Sequence, residues 1–141
     1  MTKSEESRSR APVAGVIVTH ARLGQALMEA AAVVAGEAHG LVTLSNDDLS
    51  LEALGERIRE LVQSSGESGC IVFVDSRGSS CAVSSVEALR DLPHARIICG
   101  VNLPMLVDFV LRRKDHALDA MVERLLQRGR NSVQLLKGPG A

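Results

Sequence analysis

Short apolar runs alternate with longer amphipathic stretches along most of this chain, and this alternation constrains its fold more than any other feature. Apolar residues in the stretches recur at the three- and four-residue spacing of helices. The alternation predicts an α/β fold in which helices flank both faces of a mostly parallel sheet. Four runs have the length and composition of buried strands, namely Ala14–Thr19, Leu41–Ser45, Cys70–Asp75 and Ala95–Gly100.

Capping and helix-terminating residues give the expected bounds of the first helices. The first helix is predicted from about Arg22 to Val34, with Gly36 as its terminator. Ser50 is expected to cap the second. The third helix has two possible starts, because Ser84 opens a capping-box pattern, whereas the preceding loop also allows a start nearer Ser80.

The two ends of the chain differ from its middle. Residues 1–12 are charged and serine-rich, which is typical of a disordered tail, and residues 13–141 are expected to form one domain. Pro104 suits the first turn of a fourth helix. Asp115 is expected to cap a fifth helix that ends at Gly129. The segment 132–136 is predicted to add a short extra strand near the C-terminus.

The charge and the aromatic content argue against nucleic-acid binding. The 141 residues include 16 basic and 17 acidic ones, for a net charge of -1, and only 1% are aromatic. A balanced charge gives no long-range attraction to nucleic acid or anionic membranes, and bases would find few aromatic side chains for stacking. No apolar run approaches the roughly 18 residues needed to cross a bilayer.

The cysteines and the N-terminal sequence favour a cytoplasmic protein. Cys70, Cys81 and Cys99 show no C-x-x-C spacing, and an odd number cannot pair completely. Cys70 and Cys99 lie in apolar runs and are expected to be buried. The first ten residues lack the apolar centre of a signal peptide.

His20 and Asp75 are the strongest functional candidates. Each directly ends an apolar run that is predicted to be a strand. In a parallel sheet the carboxyl ends of strands share one edge, where ligands usually bind. If the two strands are neighbours, Asp75 can hold one ring nitrogen of His20 and leave the other free to accept a group.

The segment Gly78–Ser80 is a candidate anion site between a strand and a helix. Backbone N–H groups at a helix N-terminus can hold phosphate. No nucleotide-binding glycine pattern accompanies it. A Ser–His–Asp hydrolase could be drawn from Ser79 or Ser80 with His20 and Asp75, but the G-x-S-x-G elbow is missing.

No metal site is expected from the spacing of histidines and cysteines. No two of them lie at ligand spacing on one predicted element. His39, His94 and His116 fall in loops, in turns or at a helix start, and we expect them on the surface.

Three segments together resemble the mannose-type enzyme IIA domains of the bacterial phosphoenolpyruvate-dependent sugar phosphotransferase system. The resemblance covers roughly residues 13–137. Its three motifs are Val16-Ile-Val-Thr-His-Ala-Arg-Leu-Gly24, Cys70-Ile-Val-Phe-Val-Asp75 and Gly100-Val-Asn-Leu-Pro-Met105, of which the last is the most specific.

The resemblance implies an activity and a set of partners. His20 would be the phosphoacceptor of a phosphotransferase with a phosphohistidine intermediate, and Asp75 would support it. The phosphoryl group would come from the histidine phosphocarrier protein and pass to an enzyme IIB domain for sugar uptake. The resemblance also implies a homodimer. Such transfer uses no metal or organic cofactor.

One loop departs from the pattern of the family. The resemblance predicts Asp-Leu-Phe-Gly-Gly-Ser-Pro, whereas this chain has Asp75-Ser-Arg-Gly-Ser-Ser-Cys81. Ser76 and Arg77 thus replace an apolar pair that could anchor a partner. The alternative function is therefore a regulatory binding module, in which phosphorylation of His20 is a signal rather than a step in transport. No IIB-like segment follows in the printed sequence, which leaves both functions open.

Overall fold

The computed structural model describes residues 11–66 and 68–138. The predicted tail, residues 1–12, lies outside the described residues except for its last two positions. Every helix in the described part is too short or too polar to span a bilayer. The elements in chain order are β1 (Ala14–Thr19), α1 (Leu23–Ala35), β2 (Leu41–Ser45), α2 (Leu51–Gln63), β3 (Cys70–Val74), α3 (Ser80–Leu89), β4 (Ala95–Cys99), α4 (Leu103–Arg112) and α5 (Leu118–Asn131).

The four strands form one parallel sheet in the order β2-β1-β3-β4. β1 is central, and its Val18 aligns with Leu44 of β2 and with Val74 of β3. All four carboxyl ends therefore lie at one edge. Because β1 and β3 are neighbours, the residues that follow them, His20 and Asp75, start from adjacent positions.

Helices cover both faces of the sheet, as the apolar runs predicted. Ile17 and Phe73 belong to a core formed with α1, α4 and α5, whereas Val18 and Val72 belong to a core formed with α2 and α3. When both faces of a strand are buried, polar and apolar residues do not alternate along it, which explains the continuous apolar character of these strands. The rings of Phe73 and Phe109 meet edge to face, with centroids 5.3 Å apart.

Side-chain caps account for several helix starts. Ser50, Ser79 and Asn102 each accept a hydrogen bond from a backbone N–H in the first turn of α2, α3 and α4. Gly36 ends α1 in the left-handed conformation, with φ of 85°. Pro104 lies in the first turn of α4, as predicted.

The Ser79 cap decides between the two predicted starts of α3. The helix begins at Ser80, so the capping-box interpretation of Ser84 is wrong. Ser84 lies inside the helix, where it is buried and donates to the carbonyl oxygen of Leu51 at 3.3 Å. This hydrogen bond between α3 and α2 explains why a serine stands at position 84. The local sequence alone would assign that serine to a helix start.

The fifth helix begins and ends later than predicted. Its N-cap is Ala117 without a side-chain cap, so the assignment of that role to Asp115 is wrong. Gly129 lies inside α5 rather than at its end. A Cβ atom there would lie 2.5 Å from Cε of Met105, so this glycine allows α5 to approach α4 closely.

The predicted strand at 132–136 is also wrong for the described part of the chain, where the sheet has four strands. The side chains of Leu135 and Leu136 are 93% and 85% exposed. An isolated strand lacks partners for its backbone and a surface for its side chains, so alternating apolar residues alone do not produce one.

Burial of the cysteines differs from the expectation at one position. Cys70 and Cys81 are buried, whereas Cys99 is exposed. Cys99 is the last residue of β4, an edge strand with a neighbour on one side only. The expectation for Cys99 failed because an apolar run alone does not tell a central strand from an edge strand.

Candidate functional site

His20 and Asp75 contact each other at the carboxyl edge of the sheet. Nδ1 of His20 lies 2.6 Å from Oδ2 of Asp75. The same oxygen accepts the backbone N–H of His20 at 2.9 Å. Two residues 55 positions apart in sequence are thus joined by two hydrogen bonds, as the pairing of adjacent strands required.

The second carboxylate oxygen of Asp75 is held by its own loop. Oδ1 accepts the backbone N–H of Ser76 at 2.9 Å and the hydroxyl of Ser79 at 3.2 Å. Burial raises the pKa of Asp75, but hydrogen bonds from the His20 ring and from the backbone N–H groups of His20 and Ser76 outweigh it. The net pKa lies below its ordinary value of 3.8. The group is therefore ionised at neutral pH, although its side chain is only 11% exposed.

An ionised carboxylate only accepts hydrogen bonds, so this contact places the proton of a neutral His20 ring on Nδ1. The lone pair then lies on Nε2, on a side chain that is 50% exposed. Ser80 Oγ lies 3.4 Å from Nε2. The site therefore presents a supported, solvent-accessible nitrogen nucleophile.

Asn46 is a site residue that sequence reasoning missed. It directly follows β2, and its Nδ2 donates to Ser80 Oγ at 3.4 Å. Its backbone N–H donates to the carbonyl oxygen of Thr19 at 3.1 Å. The signal in the sequence was its place directly after the apolar run Leu41–Ser45, at the carboxyl end of a third parallel strand.

The backbone around His20 is held by contacts on either side. The buried hydroxyl of Thr19 accepts the N–H of Gly24 at 2.7 Å. A Cβ atom on Gly24 would lie 3.0 Å from that hydroxyl oxygen, so a side chain would crowd the contact. Ala21 has a φ of 49°, in the left-handed region that L-residues rarely occupy. This tight turn leads from β1 into α1 and has His20 as its first residue, since the carbonyl oxygen of His20 accepts the N–H of Leu23 at 3.3 Å.

The segment Gly78–Ser80 lies at the N-terminus of α3, beside His20. Gly78 is exposed and has a φ of 80°. Ser79 caps the helix and Ser80 is its first residue. The positive end of a ten-residue helix thus begins within hydrogen-bonding reach of Nε2, a setting that favours an anion.

Cys81 is a further side chain at this point of the fold. It is fully buried in the second position of α3. Burial, and then the negative charge of Asp75, raise the pKa of its thiol to about 11. One ligand atom each of His20, Asp75 and Cys81 lie within 4.8 Å of one another. His20 follows β1, Asp75 follows β3 and Cys81 lies within α3, so spacing along one element could not find them.

The remaining histidines lie elsewhere. His39 and His94 are exposed and precede β2 and β4, at the amino ends of strands, opposite the edge with His20. His39 contacts Glu37 at 3.1 Å. His116 is half-buried and precedes α5. Surface placement was thus correct for two of the three.

The contacts at the site resemble those of a Ser–His–Asp triad, because the His20 ring lies between Asp75 and Ser80. The distance of 3.4 Å between Ser80 Oγ and Nε2 exceeds the usual range of about 2.6–3.2 Å for a nucleophile and its base. Ser80 also opens a helix without the G-x-S-x-G turn that exposes a nucleophilic serine. The geometry therefore favours His20 over a serine as the nucleophile.

Fold and site together define an α/β domain that presents a carboxylate-supported histidine. The family model described as "PTS system fructose IIA component", EIIA-man, matches residues 14–126. The chain belongs to this family, and the resemblance drawn from the three motifs is confirmed. Membership supports a phosphotransfer role in a sugar phosphotransferase system.

The curated relatives that match this chain are longer proteins than it is. It is 28% identical over 131 residues to the PTS system mannose-specific EIIAB component of Escherichia coli strain K12, and equally to that of Shigella flexneri. The alignment covers 89% of this chain but 40% of each relative. The chain therefore spans less than half the length of these relatives.

Solved structures share the fold. The mannose/sorbose specific IIA subunit of the phosphotransferase system from Enterococcus faecalis has a TM-score of 0.80 at 18% identity, over 93% of this chain and 99% of that chain. The PTS IIA protein associated with the fucose utilization operon of Streptococcus pneumoniae has a TM-score of 0.78 at 17% identity, over 89% and 96%. These matches confirm the α/β fold class.

Proposed function

We propose that this chain is a phosphoryl carrier that accepts phosphate on Nε2 of His20 from the histidine phosphocarrier protein and passes it to an enzyme IIB-type partner. The observation that carries the proposal is the contact of 2.6 Å between Nδ1 of His20 and Asp75. This contact leaves Nε2 with the lone pair and half of the side chain in solvent.

The transfer is a displacement between two imidazoles. Nε2 attacks phosphorus, an N–P bond forms, and the N–P bond of the donor phosphohistidine breaks, which returns the electron pair to the donor ring. Asp75 keeps the proton on Nδ1 and stabilises the positive charge that develops on the ring. The second transfer repeats these steps with His20 as the donor. Neither step uses a metal or an organic cofactor.

The segment Gly78–Ser80 is proposed to hold the phosphoryl oxygens. The hydroxyl of Ser80 lies 3.4 Å from Nε2, and α3 directs its positive end to the same place. The exposed side chains of Arg22 and Arg77 follow β1 and β3 at this edge and can offset charge on a bound phosphoryl group.

A regulatory role is the second candidate, and one observation favours it. Ser76 and Arg77 are exposed where the resemblance predicts an apolar pair. A polar, charged loop is a poor anchor for an apolar partner surface, whereas Arg77 suits an acidic one. In this role phosphate on His20 changes which protein docks, without onward transfer to a sugar transporter.

The same resemblance suggests a homodimer in the cytoplasm, and the C-terminal segment supports the dimer. In a single copy of the chain, three apolar side chains of this segment are exposed, those of Val133, Leu135 and Leu136. Light scattering should give about twice the monomer mass of 15.0 kDa. Leu135→Glu/Leu136→Glu should give a monomer, whereas Val33→Glu, on the exposed surface of α1, should not. A monomeric wild type would contradict the dimer.

Intact-mass measurement tests the carrier function. The purified chain is incubated with phosphoenolpyruvate, enzyme I and phosphocarrier protein, and a sample without enzyme I serves as the control. We expect one added phosphoryl group, located on His20 by peptide mapping, labile in acid and stable in base as a phosphoramidate is. An unmodified folded chain, or an acid-stable label on a serine, would contradict the proposal.

A further inference from the structure

We propose that His20, Asp75 and Cys81 form a zinc-binding site, and that zinc and a phosphoryl group exclude each other there. The three ligand atoms already lie within 4.8 Å of one another. Metal binding itself does not depend on the proposed carrier function, whereas the mutual exclusion does.

Cys81 makes this site particular to the chain. It stands where the family resemblance predicts proline, which offers no ligand atom. Its side chain is fully buried beside the ionised Asp75, which is only 11% exposed. An ion that enters from the half-exposed His20 therefore meets a thiol and a carboxylate that are shielded from water. Such shielding strengthens the attraction between a cation and its ligands.

The chemistry of the ligand set selects zinc. Imidazole nitrogen, thiolate sulfur and carboxylate oxygen are all zinc ligands, whereas magnesium and calcium prefer oxygen alone. A neutral imidazole, a carboxylate and a thiolate together balance two positive charges. The thiol proton of Cys81 passes to solvent as the zinc–sulfur bond forms. Three protein ligands leave the fourth tetrahedral position for water.

Zinc requires a small rearrangement of the site. Ligands on one tetrahedral zinc lie roughly 3.3–3.8 Å apart, given bonds of about 2.0–2.3 Å. The separation of 2.6 Å between Nδ1 and Oδ2 must therefore widen, while the ligand atom of Cys81 already lies within 4.8 Å of those of His20 and Asp75. The His20 ring is the mobile partner, because half of it is in solvent. In this arrangement zinc takes the place of the proton shared by His20 and Asp75.

This replacement explains why the two ligands compete. With Asp75 on Nδ1, the proton of the neutral ring lies on Nδ1 and the lone pair on Nε2 can attack phosphorus. With zinc on Nδ1, the proton lies on Nε2 and no lone pair remains there. Before transfer, zinc binding and attack on phosphorus thus need opposite tautomers of His20. After transfer, Nδ1 carries the proton that Asp75 holds, and zinc must displace this proton to bind.

Cobalt spectroscopy tests the site directly. The untagged chain is stripped with a chelator and titrated with Co²⁺, whose tetrahedral thiolate complexes show a charge-transfer band in the near ultraviolet. We expect this band in the wild type and in Cys99→Ser, which alters an exposed cysteine, and its loss in Cys81→Ser. A wild type without the band, or a band that persists in Cys81→Ser, would overturn the proposal.

A second variant covers the chance that Cys81→Ser disturbs the buried core. His20→Gln changes a half-exposed side chain, and circular dichroism checks that its fold is retained. We expect its Zn²⁺ affinity, measured in competition with a chromophoric chelator, to fall at least about tenfold. An affinity equal to that of the wild type would overturn the assignment of His20 as a ligand.

The Zn²⁺ affinity of the phosphorylated chain tests separately whether zinc and the phosphoryl group exclude each other. We expect phosphorylation to lower the Zn²⁺ affinity at least about tenfold, and linkage requires the reciprocal effect. Equal affinities would overturn the exclusion. If the chain accepts no phosphate, the carrier function fails, while the cobalt titration still decides whether the metal site exists.

Discussion

The loops after β1 and β3 meet at one edge of the sheet but contribute differently to the site. The loop after β1 is short and provides His20, whose side chain is half in solvent. The loop after β3 provides Asp75, Ser79 and Ser80, which contact His20 or the groups that hold it. The first loop matches the family motif, whereas the second departs from it at four positions, namely Ser76, Arg77, Ser79 and Cys81.

This contrast separates two tasks. The sheet positions the nucleophile, because β1 and β3 must pair for the two loops to meet. The second loop forms the surroundings of that nucleophile and, in the proposed function, the surface that a partner would touch. Within the second loop, Asp75 holds His20, whereas Ser76 and Arg77 have exposed side chains. Substitutions in the two loops should therefore have effects of different size.

Loss of the nucleophile should have the largest effect. We expect His20→Ala to remove all transfer from phosphocarrier protein, because no other group in this loop offers a free nitrogen lone pair. His39→Ala changes an exposed histidine near the opposite edge and should be labelled like the wild type. Intact mass measures both. Full labelling of His20→Ala would show that another residue is the acceptor.

Loss of the charge that supports the nucleophile should come next. Asp75→Asn keeps the size of the side chain but removes the negative charge beside Nδ1. Acid–base assistance is commonly worth at least about 10²-fold, and we expect phosphotransfer to slow by that order. Asp47→Asn, in the exposed turn after β2, is the matched control. Quench-flow rates that are equal for all three proteins would make Asp75 only a loop residue.

Restoring an apolar pair in the second loop should affect partner docking. An apolar anchor at an interface is worth about 2 kcal/mol, or roughly thirtyfold in affinity. We expect Ser76→Leu/Arg77→Phe to raise onward transfer to a standard mannose-type IIB domain by this order. Arg57→Phe adds an aromatic side chain on the exposed surface of α2 and should change nothing. Rapid transfer by the wild type, with no gain in the double variant, would argue against the regulatory function.

Removing the hydroxyl near Nε2 should have a smaller effect. Ser80→Ala deletes one hydroxyl donor to the phosphoryl group. A hydrogen bond is typically worth about 1 kcal/mol, and we expect about fivefold slower phosphorylation. Ser64→Ala removes a hydroxyl that contacts Leu61 at the end of α2, and serves as the control. An unchanged rate for Ser80→Ala would mean that the hydroxyl does not contact the transferred group.

The smallest effect should appear in stability at acid pH. The folded pKa of Asp75 lies below its ordinary 3.8, so its ionised form stabilises the fold above that pH. This contribution is lost as pH falls through the lowered pKa. In urea unfolding, we expect the stability difference between wild type and Asp75→Asn to shrink below pH 3.8. A difference that is constant with pH would contradict this assignment.

Sequence predicted the features that depend on periodicity and strand ends. The apolar runs of β1 and β3, and the polar residues that end them, were sufficient to predict that His20 and Asp75 would meet. Asn46 and the approach of Cys81 were not predicted, because both depend on contacts between elements far apart in sequence. The strand at 132–136 failed for a related reason, since a strand needs a neighbour that periodicity does not reveal.

The separation of 55 residues between His20 and Asp75 also has a consequence for folding. Closing so long a loop costs entropy, which is recovered only when β1 and β3 pair across the intervening α1, β2 and α2. A nascent or partly unfolded chain therefore carries a histidine without its carboxylate. If His20 accepts phosphate as proposed, phosphorylation selects for molecules that have completed their central strand pairing, and the labelled fraction of a population then reports how much of it is native.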